Sequence, residues 1–231
     1  MVLPLYLAMT AAEIRANTDF PPNIGYMACH FSPYGTGLSN CPAHLPEGSM
    51  LILNDRTPIH GHDHGLIADQ LTELVEKLKC DSVLLDFQRV DVPELSLLAQ
   101  KLSAALPCPV GVSDLYAENL DCSVFLPPVT PDVPLPQHLA PWQGRDIWLD
   151  ISAESQEITI TENGASMVIL PQQVLPQCHG DSALHCHYRI DVGENIRFTL
   201  FRTEQDLQDL LAEAKHLGIS RAVGLYQEWN G

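Results

Sequence analysis

Apolar runs of strand length recur along this chain, and most are continuous: LYLAMT (5–10), MLILND (50–55), SVLLDF (82–87), PVGVS (109–113), SVFLP (123–127), DIWLDI (146–151), RFTLFR (197–202) and AVGLYQ (222–227). A run without polar alternation reads as a strand covered on both faces, as in a parallel sheet with helices packed outside it. Helical periods lie between several of them. From 64 to 79, Ile67, Leu71, Leu74, Val75 and Leu78 form one apolar stripe, and Asp63 is a natural N-cap. From 93 to 106, Pro93 suits the first turn and Leu95, Leu98, Leu102 and Ala105 form the stripe. From 203 to 217, Thr203 and Asp206 resemble a capping box, and Gly218 ends the period.

Eight such strands with helical crossovers predict a (β/α)8 barrel, at 231 residues a little shorter than the roughly 250 usual for that fold. The barrel is expected to be irregular. IGYMACHFS (24–32) is a ninth candidate strand, and the crossovers after the fourth and fifth strands are poor in helical period. QEITITENGASMVIL (156–170) carries Asn-Gly between two β-rich runs, which predicts a hairpin inserted after the sixth strand. An open doubly wound sheet is the alternative, but no glycine-rich phosphate loop follows any strand, and no cofactor is expected. Without a linker or low-complexity tract, residues 1–231 read as one domain.

Charge and cysteine usage narrow the partners. With 29 acidic and 12 basic residues the formal charge is −17, which argues against nucleic acid and anionic membrane, whose binding depends on Lys and Arg. The N-terminal MVLPLYLAMTAAEIRA has no basic residue ahead of its apolar run and is interrupted by Pro4, so it reads as neither signal peptide nor membrane span. Seven scattered cysteines fit reduced thiols in a cytoplasm better than a secreted disulfide framework.

In parallel α/β folds the binding face lies beyond the carboxyl ends of the strands. Those ends carry Thr10 and Glu13; Asn54 and Asp55; Asp86, Gln88 and Arg89; Ser113, Asp114 and Tyr116; Asp150; Arg202; and Tyr226, Gln227, Glu228 and Trp229. Hydrogen-bonding groups mixed with aromatic rings suit a saccharide or another polyhydroxylated small molecule. Asp86 and Glu228 are the candidate catalytic carboxylates. Gln88, Arg89, Tyr116, Asn54, Asp55, Tyr226, Trp229 and His30 are candidate substrate contacts, and residues 86, 116 and 228 are expected to share one hollow. The plainer alternative has Asp86 capping a loop or pairing with Arg89, Gln88 solvated, and His30 a hydrogen-bonded structural residue.

The stretch Asp81-Ser82-Val83-Leu84-Leu85-Asp86-Phe87-Gln88 resembles the D-G-x-D-x-D-x-E strand of the chitinase-like family 18 glycoside hydrolases, which are (β/α)8 barrels. The closing AVGLYQEW is similar to that family's last strand, whose tryptophan lies under the sugar. This resemblance implies a carbohydrate-active barrel. Leu84 replaces a carboxylate, Ser82 replaces the glycine, and Gln88 stands at the position of the catalytic acid. An amide has no proton acidic enough for a leaving oxygen, so the chain is expected either to be a non-catalytic barrel that binds a saccharide or a partner protein, or to cleave with other carboxylates, such as Asp86 and Glu228.

Two histidine clusters offer a different chemistry. IHGHDHG (59–65) sets His60, His62, Asp63 and His64 after a strand, a donor set that could serve a metal-dependent hydrolase. CHGDSALHCH (178–187) fits no paired-ligand spacing and reads as a polar loop.

Overall fold

The computed structural model describes residues 2–35 and 37–229. In chain order it contains β1 (Leu5–Met9), α1 (Ala11–Ala16), β2 (Ile24–Phe31), β3 (Leu38–Ser39), β4 (Met50–Asn54), α2 (His64–Leu78), β5 (Ser82–Asp86), α3 (Pro93–Ala105), β6 (Val110–Ser113) and α4 (Asp114–Ala117). There follow β7 (Ser123–Leu126), α5 (Leu135–Leu139), β8 (Ile147–Asp150), β9 (Ser155–Thr161), β10 (Gly164–Leu170), β11 (His179–Asp181), β12 (Cys186–Val192), β13 (Ile196–Phe201), α6 (Glu204–His216), β14 (Arg221–Leu225) and α7 (Tyr226–Trp229).

Strands β1, β2, β4, β5, β6, β7, β8 and β14 pair in parallel, and β1 bonds to both β14 and β2, which closes the ring. The protein is therefore a (β/α)8 barrel. Three full crossover helices form where the periodicity placed them. Asp63 accepts from the Gly65 and Leu66 amides, Pro93 opens α3, and Thr203 with Asp206 makes the capping box of α6. Pro107, just past the end of α3, keeps the residue before it out of helical geometry. Elsewhere the ring is irregular: α4 has 4 residues, α5 has 5, and no helix is described between β2 and β4.

Strand membership differs from the sequence reading at two places. Residues 24–31 are the second strand of the wall, paired with β1 and β4. Residues 196–201 lie outside it, in an antiparallel sheet of order β10-β9-β13-β12-β11. That sheet is the insertion, and it does leave from the DIWLDI strand, which becomes seventh once 24–31 is counted. The hairpin turns at Glu162 and Asn163, one residue earlier than a loop centred on Asn-Gly: Thr161 pairs with Gly164, and the Thr161 hydroxyl accepts from the Asn163 amide. The 178–187 segment, expected as a loop, forms most of the β11–β12 hairpin.

Two apolar layers hold the wall. Outside, Leu51, Leu53, Val83, Leu85, Val112, Val124 and Leu149 meet Ile67, Leu71, Leu98, Leu102, Leu207 and Leu210 from the helices; each such side chain contributes about 1.5–3 kcal/mol when removed from water. Inside, Tyr6, Ala8, Met50, Ile52, Leu84, Phe125, Trp148 and Val223 fill the lumen. The Trp148 indole lies against Gly111, where a Cβ would come within 2.2 Å of a ring carbon, so this strand position has room for glycine alone. No described helix is long and apolar enough to cross a membrane.

Candidate functional site

The lumen is apolar through its middle and acidic at its carboxyl end. Strand alternation sends every second residue inward, so Ile52 is followed by Asn54, Leu84 by Asp86 and Trp148 by Asp150. Asn54 and Asp86 are direct register partners on β4 and β5, and Asp150 on β8 is the partner of Val223 on β14. Glu228 arrives from α7, the helical turn after β14, and accepts from the Ala153 amide at 2.6 Å and the Ser152 hydroxyl at 3.1 Å.

Each of these three carboxyls has its proton affinity raised. Burial pushes Asp150 up to about 8, the charges of Asp86 and Glu228 push in the same direction, and the Ile151 amide pulls back. Asp86 is also raised, by burial, with the Gln88 amide opposing and the Asp55 charge adding. Glu228 is raised by burial, against the pull of the Ala153 amide and the Ser152 hydroxyl, with Glu154 pushing it further up. Asp150 therefore carries its proton at neutral pH, between two acids that share its surroundings. A proton held this way is available to a leaving oxygen, and ionised neighbours accept from hydroxyls.

Asp86 does not pair with Arg89. Its partner is Gln88, whose Nε2 donates to Asp86 Oδ1. Buried Asp55 organises the loop beyond β5: its carboxylate accepts from the Gln88 amide at 3.1 Å and the Arg89 amide at 2.8 Å, and its carbonyl accepts from Arg89 Nε. The Arg89 guanidinium also reaches the Arg56 carbonyl, so it clamps two loops together. Asn54 donates to the Met27 carbonyl at 2.9 Å. His30 is hydrogen-bonded, with Nδ1 2.7 Å from the Phe31 carbonyl and Nε2 3.0 Å from the Asn40 amide nitrogen. Tyr226 donates to Asn17.

The two remaining aromatic candidates stand outside the lumen. Tyr116 packs edge-on against Phe87, a member of the outer layer, and its hydroxyl donates to the Arg89 carbonyl. It stands behind the wall, because it belongs to α4 and not to a strand end. Trp229 packs over the outer face of Gly224, where a Cβ would lie 2.5 Å from Nε1. Val223 points into the lumen, so Gly224 points away from it, and the helical turn of α7 carries the indole outward with that face. Of residues 86, 116 and 228, the first and last share Asp150 as neighbour, and 116 does not. Arg202 does follow a strand end, but that strand, β13, belongs to the inserted sheet and not to the barrel, and the side chain is buried. Asp150 is the residue whose weight the sequence reading missed, although the end of DIWLDI pointed to its place.

Beside the mouth a cleft of about 830 Å³ runs between the inserted sheet and α7, walled by Glu154, Ile169, Leu225, Gln227, Glu228 and the predicted contact Trp229. The histidines do not gather. His60 pairs with exposed Glu94, His62 packs against Phe31, and Asp63 is engaged as the cap of α2. His185 and His187 pair with Glu213 and Asp206. Among the described residues no three His, Cys, Asp or Glu side chains converge as a ligand set.

The sequence matches no protein-family model and no curated protein. Solved structures do share the fold. A glycoside hydrolase family 18 N-acetylglucosaminidase from Paenibacillus barengoltzii superposes with a TM-score of 0.64 at 10% identity, over 97% of this chain and 95% of that one. A class V chitinase from Nicotiana tobaccum gives 0.63 at 9% identity, over 100% and 95%. A chitinase-like agglutinin from Robinia pseudoacacia gives 0.59 at 12% identity, over 97% and 95%. The chain thus resembles chitinase-like barrels in fold.

Proposed function

We propose that the barrel mouth binds an N-acetylglucosamine-type oligosaccharide and does not cleave it through the family's strand-four acid. The observation that carries this reading is Gln88, an amide at that acid's position, with its Nε2 engaged by Asp86. An amide in that place orients a hydroxyl or the neighbouring carboxylate and has no proton to transfer. Asp86, Asp150, Glu228 and Asn54 offer sugar hydroxyls a set of acceptors and donors, and the adjoining cleft is large enough for further sugar rings. Asp55 and Arg89 hold the loop that presents Gln88. The fold shared with saccharide-directed proteins, an agglutinin among them, supports the ligand class.

Titrating a chitin tetrasaccharide by calorimetry while following reducing-end release tests this. Binding without release is expected from the wild type, and slow release from Gln88→Glu. No binding of this or any related saccharide sinks the reading. Release by the wild type would instead favour a second reading, supported by the proton that Asp150 holds at neutral pH. There Asp150 serves as acid, with Glu228 or Asp86 as the second carboxylate, and Asp150→Asn abolishes the release.

A further inference from the structure

A second cavity, of about 430 Å³, lies where the loop after β7 meets the root of the inserted sheet. Its walls include Pro128, Thr130, His138, Ser152, Gln156 and Arg202. Two of these are buried polar side chains, Arg202 at 1% exposure and Gln156 at 3%. Arg202 spends Nε on the His185 carbonyl at 3.2 Å and Nη1 on the Val129 carbonyl at 2.8 Å. Its Nη2 and the Oε1 of Gln156 are buried with no hydrogen-bond partner among the described residues.

The charge is unmatched as well. No carboxylate stands within ion-pair distance of Arg202 among the described residues. Asp206 and exposed Asp132 act on it from further away, and Asp206 is taken up by Thr203 and His187. Glu154, also on the cavity wall, is exposed and screened by water. A guanidinium held in the interior without a counter-ion is costly, and an anion that meets its free N–H recovers that cost. Gln156 Oε1 is an acceptor only, so it asks the ligand for a hydroxyl.

We propose that this cavity binds a hydroxycarboxylate, the carboxylate on Arg202 and a hydroxyl on Gln156. The chemistry is shared by acidic sugars and small hydroxy acids, and the volume admits either. Neither Arg202 nor Gln156 belongs to the barrel mouth, so the proposal stands or falls apart from the saccharide reading.

The test is calorimetry on the full chain with glucuronate, lactate, acetate and glucose. Glucuronate or lactate should bind with one-to-one stoichiometry. Glucose, without the carboxylate, loses a charge-assisted hydrogen bond and acetate, without the hydroxyl, a neutral one, so each should bind about tenfold more weakly or worse. The tighter of glucuronate and lactate identifies the source. Arg202→Gln should remove the binding. Because Arg202 also ties two carbonyls, Gln156→Leu serves as the variant that leaves those ties intact; it should fold, bind glucuronate and lactate about tenfold more weakly, and no longer prefer them to acetate. No heat from either hydroxycarboxylate with the folded wild type overturns the proposal, as does undiminished binding by Gln156→Leu.

Discussion

The two ends of one lumen treat charge in opposite ways. At the amino end of the strands, Arg221 lies 4.8 Å from the Trp148 ring centroid and 5.6 Å from that of Tyr6. It also stands 3.5 Å from Asp81, which accepts from the Tyr6 and Ser82 hydroxyls. At the carboxyl end burial and the charges of Asp86 and Glu228 raise the proton affinity of Asp150, and Arg89 spends its guanidinium on carbonyls. One end neutralises its acid and seals the barrel; the other leaves like charges together at a cost in stability. That division follows the (β/α)8 rule that the amino face carries stability and the carboxyl face carries the site. Unlike a structural ion-pair network, a cluster of acids without a cation is what a binding site retains against folding.

The largest effect should come from removing the central acid. Asp150 moves from an ordinary 3.8 to about 8 on folding, and each tenfold change in proton affinity is worth about 1.4 kcal/mol. Between those values the unfolded chain holds fewer protons than the folded one, so stability falls as pH rises. It is fully present below 3.8 and is lost by the time pH passes about 8. Asp150→Asn should therefore flatten the stability profile across that window and gain several kcal/mol at its upper end, measured by urea unfolding at a series of pH values. Some slope of the same sign should persist, because Asp86 and Glu228 are raised too. An unchanged profile would mean that the acids at the mouth do not oppose folding, and the contrast between the two ends would lose its basis.

Next comes the partition between the ends. Gly111 faces Trp148 so closely that an added methyl carbon meets three ring atoms within 2.9 Å, in a lumen where the indole is 1% exposed. Gly111→Ala should cost about 3 kcal/mol, the upper range for overpacking a full core. The same change at exposed Gly193, which like Gly111 has no positive φ but meets nothing nearer than 4.0 Å, reads the effect of an added methyl group without that contact. If both variants lose the same stability, contact with Trp148 is not what reserves position 111 for glycine.

Most of the wall was legible because buried parallel strands write themselves as unbroken apolar runs. The exchange of 24–31 for 197–202 shows where that signal fails. IGYMACHF is thinned by Gly25, Ala28 and His30, yet its pairing with β1 and β4 closes the ring. RFTLFR is dense in large residues, but its alternating exposure is that of a half-solvated antiparallel strand. The site was legible only as a set of strand ends. Asp86, Asp150 and Glu228 stood among them, but the influence of Asp86 and Glu228 on Asp150 depends on the ring bringing distant segments together, which no local pattern encodes. Tyr116 failed for a simpler reason: strand alternation no longer applies once the chain turns helical, and its ring follows α4 out of the lumen, whereas Trp229, carried outward by α7, lines the cleft beside Glu228.

The smallest effect should come from unpairing the sealed end. Arg221 and Asp81 keep 18% and 38% of their side-chain surface in solvent, and their 3.5 Å separation lacks hydrogen-bond geometry. The ion pair itself is thus worth under about 1 kcal/mol, and the contacts with Trp148 and Tyr6 add about 0.5–1 kcal/mol each. Arg221→Met keeps the apolar stem against both rings and removes the charge, so a loss of about 1–2 kcal/mol is expected from denaturant unfolding. Asp81 retains the Tyr6 and Ser82 hydroxyls, which caps the penalty. The saccharide affinity proposed for the mouth should stay unchanged in this variant, because the apolar layer around Trp148 separates Arg221 from Asp150 along the lumen. A fall in affinity equal to that of a mouth substitution would show that the two ends are coupled through the indole, and that the charge at the sealed end serves the site as well as the fold.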